Sequence, residues 1–174
     1  MREQYVCKVA SPDEMERKWD YEISRHTDDR ENWIIWKTEA KDNFREGKAI
    51  PYYGILDGEI ICEATAVIHP DAAQNSEGLI DDRTAYLCAF RIRKEYRGQG
   101  LGSKLMQTVL ADLKSAGFRH VTIGVGPDEE QNVRLYHRLG FTSKIKDCYT
   151  DPCAMDKNMK PAPDEGFWLL SKDL

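Results

Sequence analysis

Three glycines at alternate positions, Gly98, Gly100 and Gly102 in "RGQGLG", follow directly on the basic cluster "RIRKEY". Glycines spaced this way let the backbone turn sharply and let N–H groups converge with no Cβ atoms between them. Two readings follow: a tight structural turn, or a cradle for a phosphate or pyrophosphate. From Arg91 to Lys104 there are five basic residues (Arg91, Arg93, Lys94, Arg97, Lys104) against one acid, Glu95, in a chain of net charge −5. Such an island either docks an anion or is a solvated basic face. The negative charge of the whole chain argues against nucleic acid as the partner.

Two familiar phosphate loops do not fit. A P-loop requires GxxxxGK[ST], which is absent. A dinucleotide fingerprint, GxGxxG, is nearly met by Gly98, Gly100 and Ser103, but it expects an acid for the ribose at the end of the next strand. Here that strand, "HVTIGV", runs into Gly126-Pro127.

What positions the loop is a strand before it and a helix after it. "TAYLCAFRI" is unbroken apolar over residues 85–90, the pattern of a strand buried on both faces. After the loop, Leu101, Leu105, Met106, Val109, Leu110 and Leu113 mark one face of a helix that Gly117 ends. Upstream, "YVCKVA" predicts a strand. "SPDE" predicts a capping box with Ser11 as N-cap, Pro12 in the first turn and Glu14 three residues after the cap. Met15, Trp19 and Ile23 then form a helical stripe, and a second helix covers "ENWIIWKTEAKDNF" up to Gly47. "IPYYGIL" and "EIICEATAVI" flank Asp57-Gly58, a hairpin signal. "HPDAAQNSEGLIDDR" reads as a loop, "PDEEQNVRLYHRLG" as a helix stopped by Gly140, and "GFWLL" as the last strand. The order predicts an α/β (α+β) fold: one domain over residues 1–174, with a mixed, mostly antiparallel central sheet flanked by helices.

The bulk properties are those of an ordinary globular chain, 174 residues with 41% apolar and 32% charged side chains. No apolar run reaches the length of a membrane span, and "MREQYVCKVA" shows no signal-peptide core. Five cysteines (Cys7, Cys62, Cys88, Cys148, Cys153) form no CxxC pair, which predicts reduced thiols, a cytoplasmic location and no metal site.

"IRKEYRGQGLGSKLM" resembles the acetyl-CoA-binding segment of the GNAT superfamily of N-acetyltransferases, whose pattern is Q/R-x-x-G-x-G/A. Arg97, Gly100 and Gly102 fill its defined positions. A second signature of that family, L-Y-x-x-x-G-F, is met by Leu135, Tyr136, Gly140 and Phe141 in "RLYHRLGF". The two stand in the family's order, and the resemblance covers residues 84–142. It implies acetyl-CoA as cosubstrate and an amine as acceptor, small molecule or peptide, with no membrane partner; a homodimer is compatible with it.

The resemblance also implies roles. Backbone N–H groups of Gly98, Gln99, Gly100, Leu101, Gly102 and Ser103 would hold the pyrophosphate, with Arg97 and Lys104 adding charge. Backbone at Ile92, Arg93 and Lys94 would pair with the pantetheine arm and polarise the thioester. Tyr136 matches the tyrosine that protonates the departing thiolate; its alternative is packing between helix and sheet. Asn132, one turn earlier on the same face, would bond the pantetheine amides. Here the chain departs from the family: a small residue is common at position 132, and Glu129 stands where asparagine is frequent. No acid lies on "TAYLCAFRI", where some members carry their base and where this chain has Tyr86. Glu63, alone among apolar residues in "EIICEATAVI", is the best remaining carboxylate for that role; a solvent-facing glutamate, Asp81 and Asp82 as attractors of a cationic amine, or a water-mediated route are the alternatives. His69 and His120 fit turn and strand-boundary positions.

No cysteine is placed to form an acyl-enzyme, so direct attack in a ternary complex is expected. The rival from another class is a non-catalytic acetyl-CoA-binding sensor or partner-binding module. The acceptor pocket would draw on Trp33, Trp36, Tyr52 and Tyr53, and on the Pro-rich stretch "CYTDPCAMDKNMKPAPDEG", read as a long loop and candidate lid over residues 150–165.

Overall fold

The structure, a computed structural model, describes residues 4–72, 79–155, 158 and 160–174. Its elements are β1 (Tyr5–Val9), α1 (Pro12–Arg25), α2 (Arg30–Arg45), β2 (Ala49–Leu56), β3 (Glu59–Val67), β4 (Thr84–Ile92), α3 (Leu101–Ser115), β5 (His120–Val125), α4 (Glu130–Arg138), β6 (Ser143–Met155) and β7 (Pro161–Asp173). The strands form one sheet in the order β1-β2-β3-β4-β5-β7-β6, antiparallel except for the β4–β5 pair. No helix among the described residues is long and apolar enough to cross a membrane.

Local chemistry accounts for the early elements. Ser11 accepts from the Glu14 amide, and the Glu14 carboxylate accepts from the Ser11 amide, so the predicted capping box closes on itself. Asp57 and Gly58 both take positive φ (49° and 87°), as a two-residue turn between twisted strands requires. Glu63 and Tyr53 are paired across the resulting hairpin.

Period-2 alternation divides the sheet into two faces. Tyr52, Ala64, Ala66, Ala85 and Leu87 meet Leu105, Met106, Val109 and Leu113 of α3, with Tyr136 and Phe141 in the same cluster. Small alanines on three strands let the helix sit close, and each large aliphatic side chain buried there stabilises the fold by roughly 1.5–3 kcal/mol. On the opposite face Tyr53 packs with Ala10, Met15, Trp19, Ala40 and Phe44 of the first helical layer. A third cluster, Val67, Leu79, Ile80, Tyr86, Cys148 and Phe167, fills that second face further along the sheet.

One distant contact bears directly on the glycine loop. The Tyr5 hydroxyl donates to the Leu101 carbonyl at 2.9 Å, tying the first strand to the first residue of α3. The phenol crosses over Gly54, where a Cβ would collide with its hydroxyl. Burial and the nearby Cys62 and Cys7 push the Tyr5 ionisation well above its ordinary range, so it remains a donor.

Several expectations are corrected. β4 is buried on both faces only at Ala85, Tyr86 and Leu87; Ala89 is exposed. α4 begins at Glu130 rather than at Pro127, because Gly126, Pro127 and Asp128 form a turn. The stretch read as a long loop is mostly strand, the facing ends of β6 and β7. Its residues 156, 157 and 159 lie outside the described residues, as do 73–78 of the loop before β4 and the side chain of Cys153. Cys7, Cys62, Cys88 and Cys148 are free, and no cluster of metal-ligating side chains occurs among the described residues.

Candidate active site

The site begins at a fault in β4. Thr65 pairs with Cys88 and Glu63 with Arg91, so Ala64 alone faces both Ala89 and Phe90. This is a β-bulge, and Ala89 carries it at φ 53°, a left-handed conformation that costs a non-glycine residue about 1–2 kcal/mol. Strain of this kind persists where surrounding structure fixes it, and it concentrates at functional sites. β4 pairs with β5 only from Thr84 to Leu87, whereas β5 continues along β7 to Val125. The two central strands therefore part at the bulge, at their carboxyl ends, where open mixed sheets take ligands.

Beyond β4 the chain makes a short 3₁₀ turn at Lys94–Tyr96 and then the glycine loop. Gly98 and Gly100 both stand at φ 76°, with open space where a Cβ would point. Gly100 is the N-cap of α3 and has no side chain to offer the helix. Among the described residues, no hydrogen bond is made by the amides of Gly98, Gln99, Gly100, Leu101, Gly102 or Ser103. Six adjacent donors, at the positive end of a 15-residue helix, are a ready anion cradle. Gly102 answers a different need: a Cβ there would lie 3.0 Å from the Phe90 ring.

A cleft of about 980 Å³ runs from the bulge across this loop to α4. It brings the sequence-predicted Ile92, Arg97, Gly98, Gly100, Leu101, Gly102 and Ser103, neighbours in the chain, together with the remote Asn132 of α4. Arg97 is tied back by its Nε, which donates to the Ile92 carbonyl at 3.2 Å. Arg93 and Lys94 instead line a neighbouring basic cavity, and the Arg93 amide is committed to the Ile61 carbonyl at 2.9 Å. The Gln99 side chain leans on the Glu95 carbonyl, and Lys104 is solvent-exposed. Asn132 donates to Glu129, whose other oxygen accepts the Gly126 amide at 2.6 Å. The departure from the family pattern at these two positions is thus a local clamp on the start of α4.

Tyr136 lies in the core cluster under α3 and not in the lining of the cleft, 6% exposed, its ring 6.3 Å from Phe141 and from Phe90, which does line it. Its hydroxyl makes no hydrogen bond among the described residues. Burial, reinforced by the charge of Glu129, pushes its ionisation up to about 12, so the phenol keeps its proton at neutral pH.

Glu63 lies on the other face of the sheet. One carboxylate oxygen is 2.8 Å from Lys18 Nζ and the other 2.5 Å from Arg91 Nη2. Glu63 and Lys18 are each 7% exposed, a rare degree of burial for charged side chains that pairing makes tolerable. The carboxylate expected to accept a proton has both oxygens engaged, and its geometry is that of a fastener between α1, β3 and β4. Asp81, one of the two loop acids considered beside it, accepts from the Arg83 amide in a surface turn, which holds its carboxyl below the usual range.

Beside Glu63 opens a second, smaller cavity of about 340 Å³, walled by Trp19, Trp33, Trp36 and Tyr53 and reaching Ala89. The expected Trp33, Trp36 and Tyr53 are therefore together; Tyr52 faces α3 instead. Ala89 lines the aromatic cavity, Phe90 lines the large cleft and Arg91 lines both. The bulge is the common wall. Sequence reasoning missed Ala89 and Phe90, since nothing in an apolar run signals positive φ. It also missed Glu39 on α2, which lines the aromatic cavity and looks like any helix-surface acid.

Comparisons with known proteins agree with the fold. The family model "Acetyltransferase (GNAT) family" matches residues 10–141. N-alpha-acetyltransferase 30 of Schizosaccharomyces pombe is 39% identical over 56 residues, 32% of this chain and 37% of that protein; the match spans little more than a third of the relative. Among solved structures, a GNAT family acetyltransferase from Staphylococcus aureus Mu50 superposes with TM-score 0.68 at 15% identity, covering 98% of this chain and 99% of that one. A GNAT family acetyltransferase from Elizabethkingia anophelis with acetyl-CoA bound gives TM-score 0.55 at 17% identity, over 78% and 82%. The PaiA N-acetyltransferase of Thermoplasma acidophilum, in complex with coenzyme A, gives 0.64 at 13%, over 98% and 99%.

Proposed function

We propose that this chain, which belongs to the acetyltransferase (GNAT) family, moves an acetyl group from acetyl-CoA directly to a primary amine. The observation that carries the proposal is the convergence on one cleft of Phe90, at the strained β4 bulge, and five loop residues with unbonded amides, Gly98, Gly100, Leu101, Gly102 and Ser103. The residues fit the cosubstrate on their own terms: open positive-φ glycines and a helix N-terminus suit a pyrophosphate, and the parted strands suit a narrow extended arm.

Acetyl-CoA, when bound, supplies an acetyl group activated as a thioester. The chain's task is to hold and orient it, exclude water and move protons. The amides of residues 98–103 bind the pyrophosphate, and Arg97 adds charge. Backbone at Phe90 and Ile92, beside the bulge, holds the arm; a bulge leaves one residue out of the ladder, free to bond a ligand. The neutral amine nitrogen forms the new C–N bond as the C–S bond breaks. Tyr136 gives its proton to the departing sulfur and regains one from the nitrogen. Cys88 borders the aromatic cavity, but no histidine among the described residues lines that cavity to activate it, so direct transfer is favoured over an acyl-enzyme.

Gly100 tests the binding half of this reading. Valine there cannot hold φ 76° without strain of about 1–2 kcal/mol, more for a branched side chain, and the loop must rearrange. Calorimetric titration of Gly100→Val with coenzyme A is expected to show at least a roughly tenfold loss of affinity, about 1.4 kcal/mol. An unchanged affinity would mean that the loop is only a turn. ATP or NAD displacing coenzyme A would favour another kind of nucleotide site.

A further inference from the structure

The aromatic cavity is a built chamber. Its volume, about 340 Å³, is that of a small-ligand pocket and too small to enclose a peptide chain. Trp33 stands edge-on to Trp36 at 5.2 Å and tilted to Trp19 at 6.1 Å, and its indole nitrogen donates to Asp29 at 3.1 Å, which fixes the rings. Their faces already receive cations: Lys18 Nζ is 3.8 Å from the Trp19 ring centre, and the Arg91 guanidinium 5.5 Å from that of Trp33. Both of those cations are bound by Glu63. Of the charged side chains on the chamber wall (Lys18, Glu39, Glu63 and Arg91), Glu39 has no ion pair or hydrogen bond among the described residues.

An aromatic chamber with one carboxylate unpaired among the described residues selects a cation on an apolar body. Resting on the acetyltransferase reading, we infer that the chamber is the acceptor site, that the acceptor is a small primary amine carried on an aromatic or compact apolar body, and that Glu39 takes the proton its ammonium must lose. The ammonium gives one proton to the Glu39 carboxylate, and the freed lone pair forms the C–N bond to the acetyl carbon as the C–S bond breaks. The sulfur takes the Tyr136 proton, the nitrogen returns its second proton to Tyr136, and Glu39 releases the first to solvent. A flexible polyamine would leave polar groups unpaired against indole, which disfavours it.

Burial alone pushes the Glu39 carboxyl up to about 6. The sign follows: below about pH 6 Glu39 is protonated and accepts nothing, so the rate falls on the acid side. Stability runs the opposite way. The folded state binds the Glu39 proton more tightly than the unfolded chain does, so this group's contribution to stability is lost as pH rises from about 4.5 through about 6. Glu39→Gln should therefore fold at least as stably as the natural protein at pH 8.

The test measures kcat/KM at saturating acetyl-CoA for 2-phenylethylamine, spermidine and a methionine-initiated tripeptide, in the natural protein and in Glu39→Gln. The expected result is at least a tenfold preference for phenylethylamine. Glu39→Gln is expected to lose about a hundredfold or more of that activity and to lack the acid limb near pH 6, with coenzyme A affinity and thermal midpoint kept. Preference for spermidine or the tripeptide, or a Glu39→Gln variant with full rate and an intact acid limb, overturns the inference and leaves the acetyltransferase reading standing. Coenzyme A binding with no transfer to any amine overturns both.

Discussion

Replacing Tyr136 with phenylalanine is expected to lower kcat about a hundredfold, roughly 2.7 kcal/mol of transition-state stabilisation, with coenzyme A affinity unchanged. The ring is the structural part of this side chain, held at 6.3 Å from Phe90 and from Phe141, and phenylalanine keeps it. The hydroxyl leaves no partner behind, since it makes no hydrogen bond among the described residues. Stability should therefore stay within about 0.5 kcal/mol, as for substitutions that create neither a cavity nor an orphaned group. Stopped-turnover kinetics and calorimetry on the same preparation separate the outcomes. Full activity in Tyr136→Phe would remove the phenol from the chemistry. A natural protein that binds acetyl-CoA and transfers nothing would be the sensor that the sequence alone leaves open.

Glu63 leads to a prediction of opposite kind. Glu63→Gln is expected to destabilise the fold by on the order of 3 kcal/mol, because Lys18, 7% exposed, keeps its charge and loses its anion. Against a total of about 5–15 kcal/mol for a domain, that is a large loss, visible in chemical denaturation. Lys18→Met in the same chain should return most of it, since the orphaned charge is then gone; Arg91, nearly half exposed, can be solvated. A proton acceptor would behave otherwise. Its amide variant would lose turnover with little change in stability, and Lys18→Met would not restore the rate.

The sequence was most informative where conformation is dictated locally. Ser11, Glu14 and the Asp57-Gly58 turn carry their own hydrogen bonds or dihedral demands, and the elements they bound lie where they were expected. The glycine loop was legible for the same reason: Gly98 and Gly100 hold positive φ, and Gly102 makes room for a ring. What escaped depends on partners remote in the chain. Ala89 takes φ 53° because β3 and β4 mismatch by one residue, a fact carried by pairing and not by alanine. Pro161 and Pro163 looked like loop formers. They are tolerated in β7 because β5 reaches it only from Trp168 onward, which leaves that end of the strand with one neighbour, β6. Glu63 could be singled out as a polar residue in an apolar strand, yet its pairing with Lys18 of α1 and Arg91 of β4 appears only once those elements meet. Glu39 was hidden in the charged pattern of α2, and the cavity it lines is completed by α1, β2, β3, β4 and Ala72.

Transfer requires the cleft and the chamber to work as one site across the β4 bulge. The direct measurement follows free thiol and acetylated product together, with purified protein, acetyl-CoA and a panel of primary amines. The expected result is stoichiometric thiol release and N-acetylated product, dependent on the amine and fastest for small apolar amines. Thiol release that proceeds equally without amine, or coenzyme A binding with no acetylated product from any amine, would contradict it.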